Sequence, residues 1–105
     1  MAIIRYTTPT IKFTFSAVSV TDITVAYLVI KQNGSTVIER GINTAVITDT
    51  ADESSLAWTL TQAESGSLAK STTMIYCDWK LSDGTRGRSN VKTETVEDCG
   101  KQSVI

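Results

Sequence analysis

The sequence predicts an all-β fold, specifically an antiparallel, immunoglobulin-like β-sandwich with one short helical turn. Segments of strand length with alternating apolar and polar residues recur about every ten residues, and Gly-containing turns separate several of them. Val, Ile and Thr are frequent, and their branched side chains suit strands better than helices. No long helical pattern, internal repeat or linker interrupts the 105 residues, so residues 1–105 are interpreted as a single domain.

Alternating hydrophobicity defines the predicted strands. They span residues 10–16, 23–31, 36–40, 45–48, 55–60, 72–81 and 88–96. In the first of these, Ile11, Phe13 and Phe15 share one face, which is the pattern of a half-buried strand. The second strand ends in a run that is apolar on both faces, which predicts a central strand covered on both sides for part of its length.

Turn and capping signals lie between these strands. Residues 32–35 and 82–85 contain Asn-Gly and Asp-Gly, which predict tight hairpins because these residues tolerate positive φ. Thr61 and Glu64 have capping-box spacing, in which each side chain can bind the backbone N–H of the other residue. This spacing predicts one short helical turn, with Leu68 anchoring its exit.

The longest predicted strand has two different faces. Ile75, Cys77, Trp79 and Leu81 form one face, and Met74, Tyr76, Asp78 and Lys80 form the other. If the second face is uncovered it is an interaction surface, which an assembly subunit would be expected to have. Met74 and Tyr76 are therefore candidate interaction residues.

Two arginines and two tryptophans have alternative interpretations. Arg86 and Arg88 follow a predicted hairpin turn and could contact an anion or a partner, or could simply keep the turn solvated. Trp58 and Trp79 could stack on a sugar if they were exposed. Both lie on strand faces beside Leu or Ile, which favours burial in the core.

Charge and hydropathy exclude several classes of partner. The formal net charge is −1, without the basic surplus of a nucleic-acid-binding protein, so no nucleic-acid partner is expected. No apolar run approaches the roughly 20 residues that span a membrane. The apolar stretch within residues 1–7 is too short for a signal peptide, so synthesis in a cytoplasm is expected.

The sequence offers little material for catalysis or cofactor binding. It contains no histidine, which removes the common catalytic triads and the commonest zinc ligand. No phosphate-binding glycine motif occurs. Asp49, Asp52 and Glu53 are interpreted as a solvated loop, with a calcium site as the alternative. Cys77 and Cys99 are interpreted as free thiols, with a disulfide as the alternative. No enzymatic activity, metal or cofactor is predicted.

Three segments and the last two residues resemble a known family. Residues 6–15 (Tyr-Thr-Thr-Pro-Thr-Ile-Lys-Phe-Thr-Phe) resemble the Thr-Pro-Thr start of small proteins from tailed phages and prophages of gut Firmicutes. Residues 60–64 (Leu-Thr-Gln-Ala-Glu) and 77–86 are similar to that family's Leu-Thr-Gln-x-Glu block and Asp-Gly hairpin. Val104 and Ile105 also fit, and they are further candidate interaction residues. The tail containing Cys99, predicted to be loosely ordered alone, is a departure from the family.

The same pattern is similar to the immunoglobulin-like N-terminal domain of phage upper baseplate proteins. The resemblance implies a structural subunit of the virion, at the tail or baseplate, that reaches the particle after synthesis in the host cytoplasm. The implied partners are other phage structural proteins and further copies of the chain, in a homo-oligomer. The alternatives are a capsid decoration or head–tail joining protein, and a glycan-binding attachment module.

Overall fold

Two β-sheets enclose one hydrophobic core in the computed structural model, which describes residues 2–16 and 18–105. Met1, part of the segment considered above as a signal peptide, lies outside the described residues. The strands are β1 (Ala2–Ile4), β2 (Thr10–Thr14), β3 (Ile23–Gln32), β4 (Ser35–Gly41), β5 (Val46–Asp49), β6 (Ser54–Thr59), β7 (Thr73–Leu81), β8 (Arg86–Arg88) and β9 (Lys92–Glu97). The helical elements are α1 (Gln62–Gly66) and two 3-10 turns, Val20–Asp22 and Ile42–Thr44.

The larger sheet has the strand order β1-β9-β7-β3-β4, with β8 also paired to β7, and the smaller sheet has the order β2-β6-β5. The prediction of an all-β fold is confirmed, while the finer assignment to an immunoglobulin-like sandwich stays a prediction. The pairing departs from the expected antiparallel pattern at one place, because β1 runs parallel to β9. These two strands are distant in sequence, so no hairpin forces them to run in opposite directions.

The predicted core faces are confirmed in the strands with clear alternation. Ile11 and Phe13 of β2 are buried, and Phe15 packs half-buried against the core just beyond the end of that strand. The opposite sheet contributes β3, in which three consecutive residues, 28–30, are buried. This burial confirms that β3 is central and covered on both sides at that point.

The predicted turns and the helix cap are also confirmed. Asn33 and Gly34 have φ values of 53° and 78°, so the turn between β3 and β4 uses positive φ at both central residues. Thr61 accepts a hydrogen bond from the backbone N–H of Glu64, whose carboxylate accepts one from the backbone N–H of Thr61. Leu68 is fully buried after the helix, as predicted.

The structure differs from the predicted strands at two places. The first strand, β1, was not predicted because three residues are too few to display an alternating pattern. The last predicted strand is split into β8 and β9, which lie along the same edge of β7. At the break, Ser89 Oγ accepts a hydrogen bond from the backbone N–H of Cys77, in the place of a backbone carbonyl.

The helical content is small. The longest helix among residues 2–16 and 18–105 is α1, with five residues, so none of these helices is long enough to cross a membrane. The side chain of Gln62, in α1, binds the last residue of the sequence. It accepts a hydrogen bond from the Ile105 backbone N–H at 2.7 Å and donates one to the Ile105 carbonyl. The tail predicted to be loosely ordered is therefore attached to α1 at its last residue.

Candidate interaction surface

The register between β3 and β7 places one row of side chains on the side of the larger sheet that faces away from the core. Paired residues in an antiparallel sheet share a face, and the core-facing pairs include Leu28 with Cys77 and Ile30 with Ile75. The alternate residues of both strands therefore point outward, together with their neighbours on β4 and β8. We call this surface the outer face; it comprises Val25, Tyr27, Val29, Lys31, Glu39, Met74, Tyr76, Asp78, Lys80, Arg86 and Arg88.

The centre of the outer face is apolar and open to solvent. Tyr27 and Met74 have exposed fractions of 44% and 45%, and Val25 is exposed next to Tyr27 on β3. In the register, Val29 and Tyr76 lie between Tyr27 and Met74. Val29 is buried at the bottom of a shallow depression of about 310 Å³, which Tyr27 and Glu39 help to line. Exposed apolar groups on a regular sheet of this kind are typical of interaction sites.

Cations surround this apolar centre. The Lys31 Nζ lies 5.6 Å and the Arg88 guanidinium 5.5 Å from the centroid of the Tyr76 ring, within the range of cation–π attraction. Arg86 lies 3.8 Å from the Asp78 carboxylate, in a partly exposed ion pair. With Lys80, the outer face carries four cations and two carboxylates, so its charge is positive although the chain is slightly negative.

The structure brings together four of the six predicted interaction residues. Met74 and Tyr76 on β7 and Arg86 and Arg88 on β8 all belong to the outer face. Val104 and Ile105 lie apart from them, exposed at the end of the chain near α1. A role in binding stays a prediction both for the four residues of the outer face and for Val104 and Ile105.

Sequence reasoning missed the β3 half of the outer face. Val25 and Tyr27 alternate with core residues of β3, so their shared direction was readable from the sequence. The apolar run that follows them predicted cover on both sides for that part of the strand, which is correct at Val29. Tyr27 belongs to the alternating part before the run and is exposed. Alternation separates the two faces of a strand but carries no information about which face another element covers.

The two tryptophans differ in exposure. Trp58 is fully buried, donates its indole N–H to the Gly41 carbonyl at 2.9 Å and meets the Phe13 ring edge-on at 6.2 Å. Trp79 is half-buried and meets Phe15 edge-on at 6.3 Å. The interpretation of Trp58 as a core residue is confirmed, and its ring offers no surface to a sugar.

The three carboxylates of the acidic loop, on Asp49, Asp52 and Glu53, do not form a common site. Glu53 turns to the smaller sheet, where it pairs with Lys12 and accepts a hydrogen bond from Ser55. The hydrogen bond from Lys12, followed by that from Ser55, lowers the pKa of Glu53 below its ordinary value. Asp49 and Asp52 remain exposed. No three His, Cys, Asp or Glu side chains group as a metal-binding cluster within residues 2–16 and 18–105.

Both cysteines are free thiols, and the thiol of Cys77 is buried. Burial, with a smaller contribution from the charge of Asp78, raises the pKa of Cys77 to about 12. The reactive form of cysteine is the thiolate, so the buried Cys77 is a poor nucleophile near neutral pH. Cys99 is half-exposed in the C-terminal tail.

Comparisons with protein-family models and with curated proteins found no match to this chain. The resemblance to small phage proteins therefore stays a prediction. The outer face is the structural observation from which a function can be proposed.

Proposed function

We propose that this chain is a non-enzymatic structural subunit of a bacteriophage virion, in the tail or baseplate, and that it acts by protein–protein assembly through the outer face. The observation that carries the proposal is the exposure of three apolar side chains along the outer face, Val25 and Tyr27 on β3 and Met74 on β7. The composition also supports it, because Tyr, Met and Arg are enriched in the cores of protein interfaces. The outer face contains two tyrosines, one methionine and two arginines.

The strand order supports the immunoglobulin-like part of the proposal. The order β2-β6-β5 opposite β9-β7-β3-β4 corresponds to strands B-E-D opposite G-F-C-C′ of immunoglobulin domains. The chain departs from that pattern because no described strand pairs with the free edge of β2, where strand A would lie. The resemblance to the immunoglobulin-like domain of upper baseplate proteins supplies the assignment to a virion, since a fold alone does not specify a function.

Labelling of purified particles tests the location. Heads and tails prepared separately from phage of the source strain would be probed with an antibody against this chain and imaged by cryo-electron microscopy. We expect the chain at the tail end. Labelled capsids would instead support a decoration or joining protein, and particles without the chain would contradict the virion assignment.

Substitution of the apolar centre tests the surface. Tyr27→Glu combined with Met74→Glu places charge at the centre of the outer face, and a cost above about 1.4 kcal/mol would lower incorporation into particles more than tenfold. Lys101→Glu, at an exposed residue of the tail, is the matched control and should be incorporated normally. Normal incorporation of the double variant would contradict assembly through the outer face.

The glycan-binding alternative has less support from the side-chain arrangement. Trp58 is buried, and Lys31 and Arg88 already lie within cation–π distance of the Tyr76 ring. Titration with soluble cell-wall glycan from the host tests this alternative, with tryptophan and tyrosine fluorescence as the readout. An unchanged spectrum is expected, and a saturable change would favour the attachment module.

A further inference from the structure

We propose that the partner bound by the outer face is a second copy of this chain, joined head to tail through the open edge of β5. The proposal rests on the proposed function and names the partner. We call the second surface the acidic edge; it comprises Val46, Ile47, Asp49 and Asp52. Each copy would place its acidic edge on the outer face of the next.

The acidic edge combines apolar exposure with an unpaired strand edge. Val46 and Ile47 are 65% and 53% exposed. The strand that carries them, β5, pairs only with β6 among the strands that the structure describes, so no described strand covers its other edge. Soluble proteins commonly protect such edges, and an exposed apolar edge is a site where another chain can bind.

The charges of the acidic edge are also available. Asp49 and Asp52 are exposed, and neither carboxylate forms an ion pair within residues 2–16 and 18–105. The neighbouring Glu53 differs, because Lys12 of the same copy neutralises it. Two carboxylates without an ion-pair partner in the described residues therefore follow the apolar pair, at the end of β5 and in the loop after it.

The outer face has the complementary arrangement. Its apolar centre lies among cations, and Lys31, Lys80 and Arg88 form no ion pair in the described part of the chain. An interface is favoured when positive and negative patches meet and apolar groups are buried between them. The side chains of Val46 and Ile47 point to opposite sides of the β5 edge, so they would contact the apolar side chains of the outer face from the two sides of that edge. Asp49 and Asp52 would lie near the cations.

Charge also argues against the simplest alternative, a two-fold dimer of outer faces. A two-fold contact places the same patch on both sides, so the four cations of one copy would approach the four of the other. The acidic edge avoids this repulsion. Because β5 belongs to the smaller sheet and the outer face to the larger one, a single copy can use both surfaces at once. A head-to-tail contact of this kind either closes into a ring or continues as a filament.

Mixing of two charge-reversed variants tests the proposal directly. The first variant carries Lys31→Glu and Lys80→Glu on the outer face, and the second carries Asp49→Lys and Asp52→Lys on the acidic edge. Sedimentation velocity at low ionic strength would measure association of the full chain over a wide concentration range. We expect each variant alone to associate at least about tenfold more weakly than the unchanged chain.

The mixture of the two variants separates the head-to-tail contact from its alternatives. The first variant retains an intact acidic edge and the second an intact outer face, and their two reversed surfaces are complementary to each other as well. The mixture should therefore associate in alternation, although neither variant does so alone. A chain with all four substitutions should associate with itself again. Far-UV circular dichroism confirms that each variant folds, and Lys101→Glu is the control that should associate like the unchanged chain.

Three results would overturn the proposal. Loss of association only in the outer-face variant would indicate the two-fold dimer, and loss only in the acidic-edge variant would indicate pairing between two β5 edges. An unchanged chain that stays monomeric would show that the outer face binds a different protein. This last result leaves the proposed function intact if the chain is found in particles, whereas self-association without incorporation would contradict the virion assignment alone.

Discussion

Trp58 connects the two sheets through a partly buried hydrogen bond. Its ring belongs to β6 of the smaller sheet, and the Gly41 carbonyl that accepts its indole N–H lies at the end of β4 in the larger sheet. A buried polar group without a partner is costly, so this contact lets an amphipathic ring fill the core without an unsatisfied N–H. Trp58 therefore fills the core and, through this bond, also holds β6 of the smaller sheet against the end of β4 in the larger sheet.

Trp58→Phe removes this hydrogen bond and leaves space in the core. We expect the free energy of unfolding to fall by about 1–3 kcal/mol, from the lost hydrogen bond and the lost ring volume. The Gly41 carbonyl keeps a second donor, the Thr44 hydroxyl at 2.9 Å. Urea unfolding followed by circular dichroism gives the value. Tyr27→Phe, which removes a hydroxyl from the exposed outer face, is the control and should change it by less than about 0.5 kcal/mol. Equal effects in both variants would contradict this account.

Cys77 gives a prediction about pH and thiol reactivity. In the folded chain, burial raises the pKa of Cys77 to about 12 from an ordinary value of 9.0. A thiol reagent near pH 8 should therefore modify Cys99 quickly and Cys77 only after unfolding. Cys99→Ser should show no fast reaction, and a fast reaction in that variant would contradict the burial of Cys77.

The same shift fixes the direction of the pH dependence of stability. Because the folded pKa of Cys77 is raised, its contribution to stability is fully present below pH 9, where both states hold the proton. The contribution is lost as the pH rises from 9 towards about 12, since the unfolded chain ionises first. Comparison with Cys77→Ala across this range isolates the effect.

The short helix α1 depends on the capping residue that precedes it, Thr61, and an ion pair connects it to the larger sheet. Thr61 caps the backbone N–H of Glu64, and Arg40 at the end of β4 reaches the Glu64 carboxylate at 2.7 Å. A helix of five residues is too short to be stable alone. The cap and the ion pair therefore position the segment that connects the smaller sheet to β7.

Thr61→Ala removes the cap and should lower the free energy of unfolding by about 1 kcal/mol. Thr61→Ser keeps the hydroxyl that accepts the hydrogen bond, so it should retain most of the stability. Urea unfolding of the two variants under the same conditions provides the comparison. A Ser variant as unstable as the Ala variant would show that the methyl group, and not the cap, is responsible.

Elements with a strong local signal could be predicted from the sequence, and elements set by distant partners could not. Alternation identified β2 and β7, and the capping box identified α1, because each pattern lies within a few neighbouring residues. The strand β1 has only three residues and exists because β9 is beside it. The exposure of Tyr27 could not be predicted for the same reason, since it depends on whether a distant part of the chain packs on the outer face.

The two sheets share one core, so we expect them to unfold together. Core residues from both sheets form a single cluster, with Leu56 and Trp58 from the smaller sheet and Leu28 and Ile75 from the larger one. Neither sheet could bury its apolar face without the other. The interpretation of residues 1–105 as a single domain stays a prediction, and cooperative unfolding is its direct consequence.

The two tryptophans allow this prediction to be measured sheet by sheet. In Trp58→Phe the remaining fluorescence reports on Trp79 in the larger sheet, and in Trp79→Phe it reports on Trp58 in the smaller one. Within each variant, the urea midpoint from fluorescence should equal the midpoint from far-UV circular dichroism, because a two-state transition gives the same midpoint for every probe. Separate midpoints would mean that one sheet persists after the other unfolds. The shared core would then contribute less to the stability of each sheet than the hydrogen bonds within that sheet do.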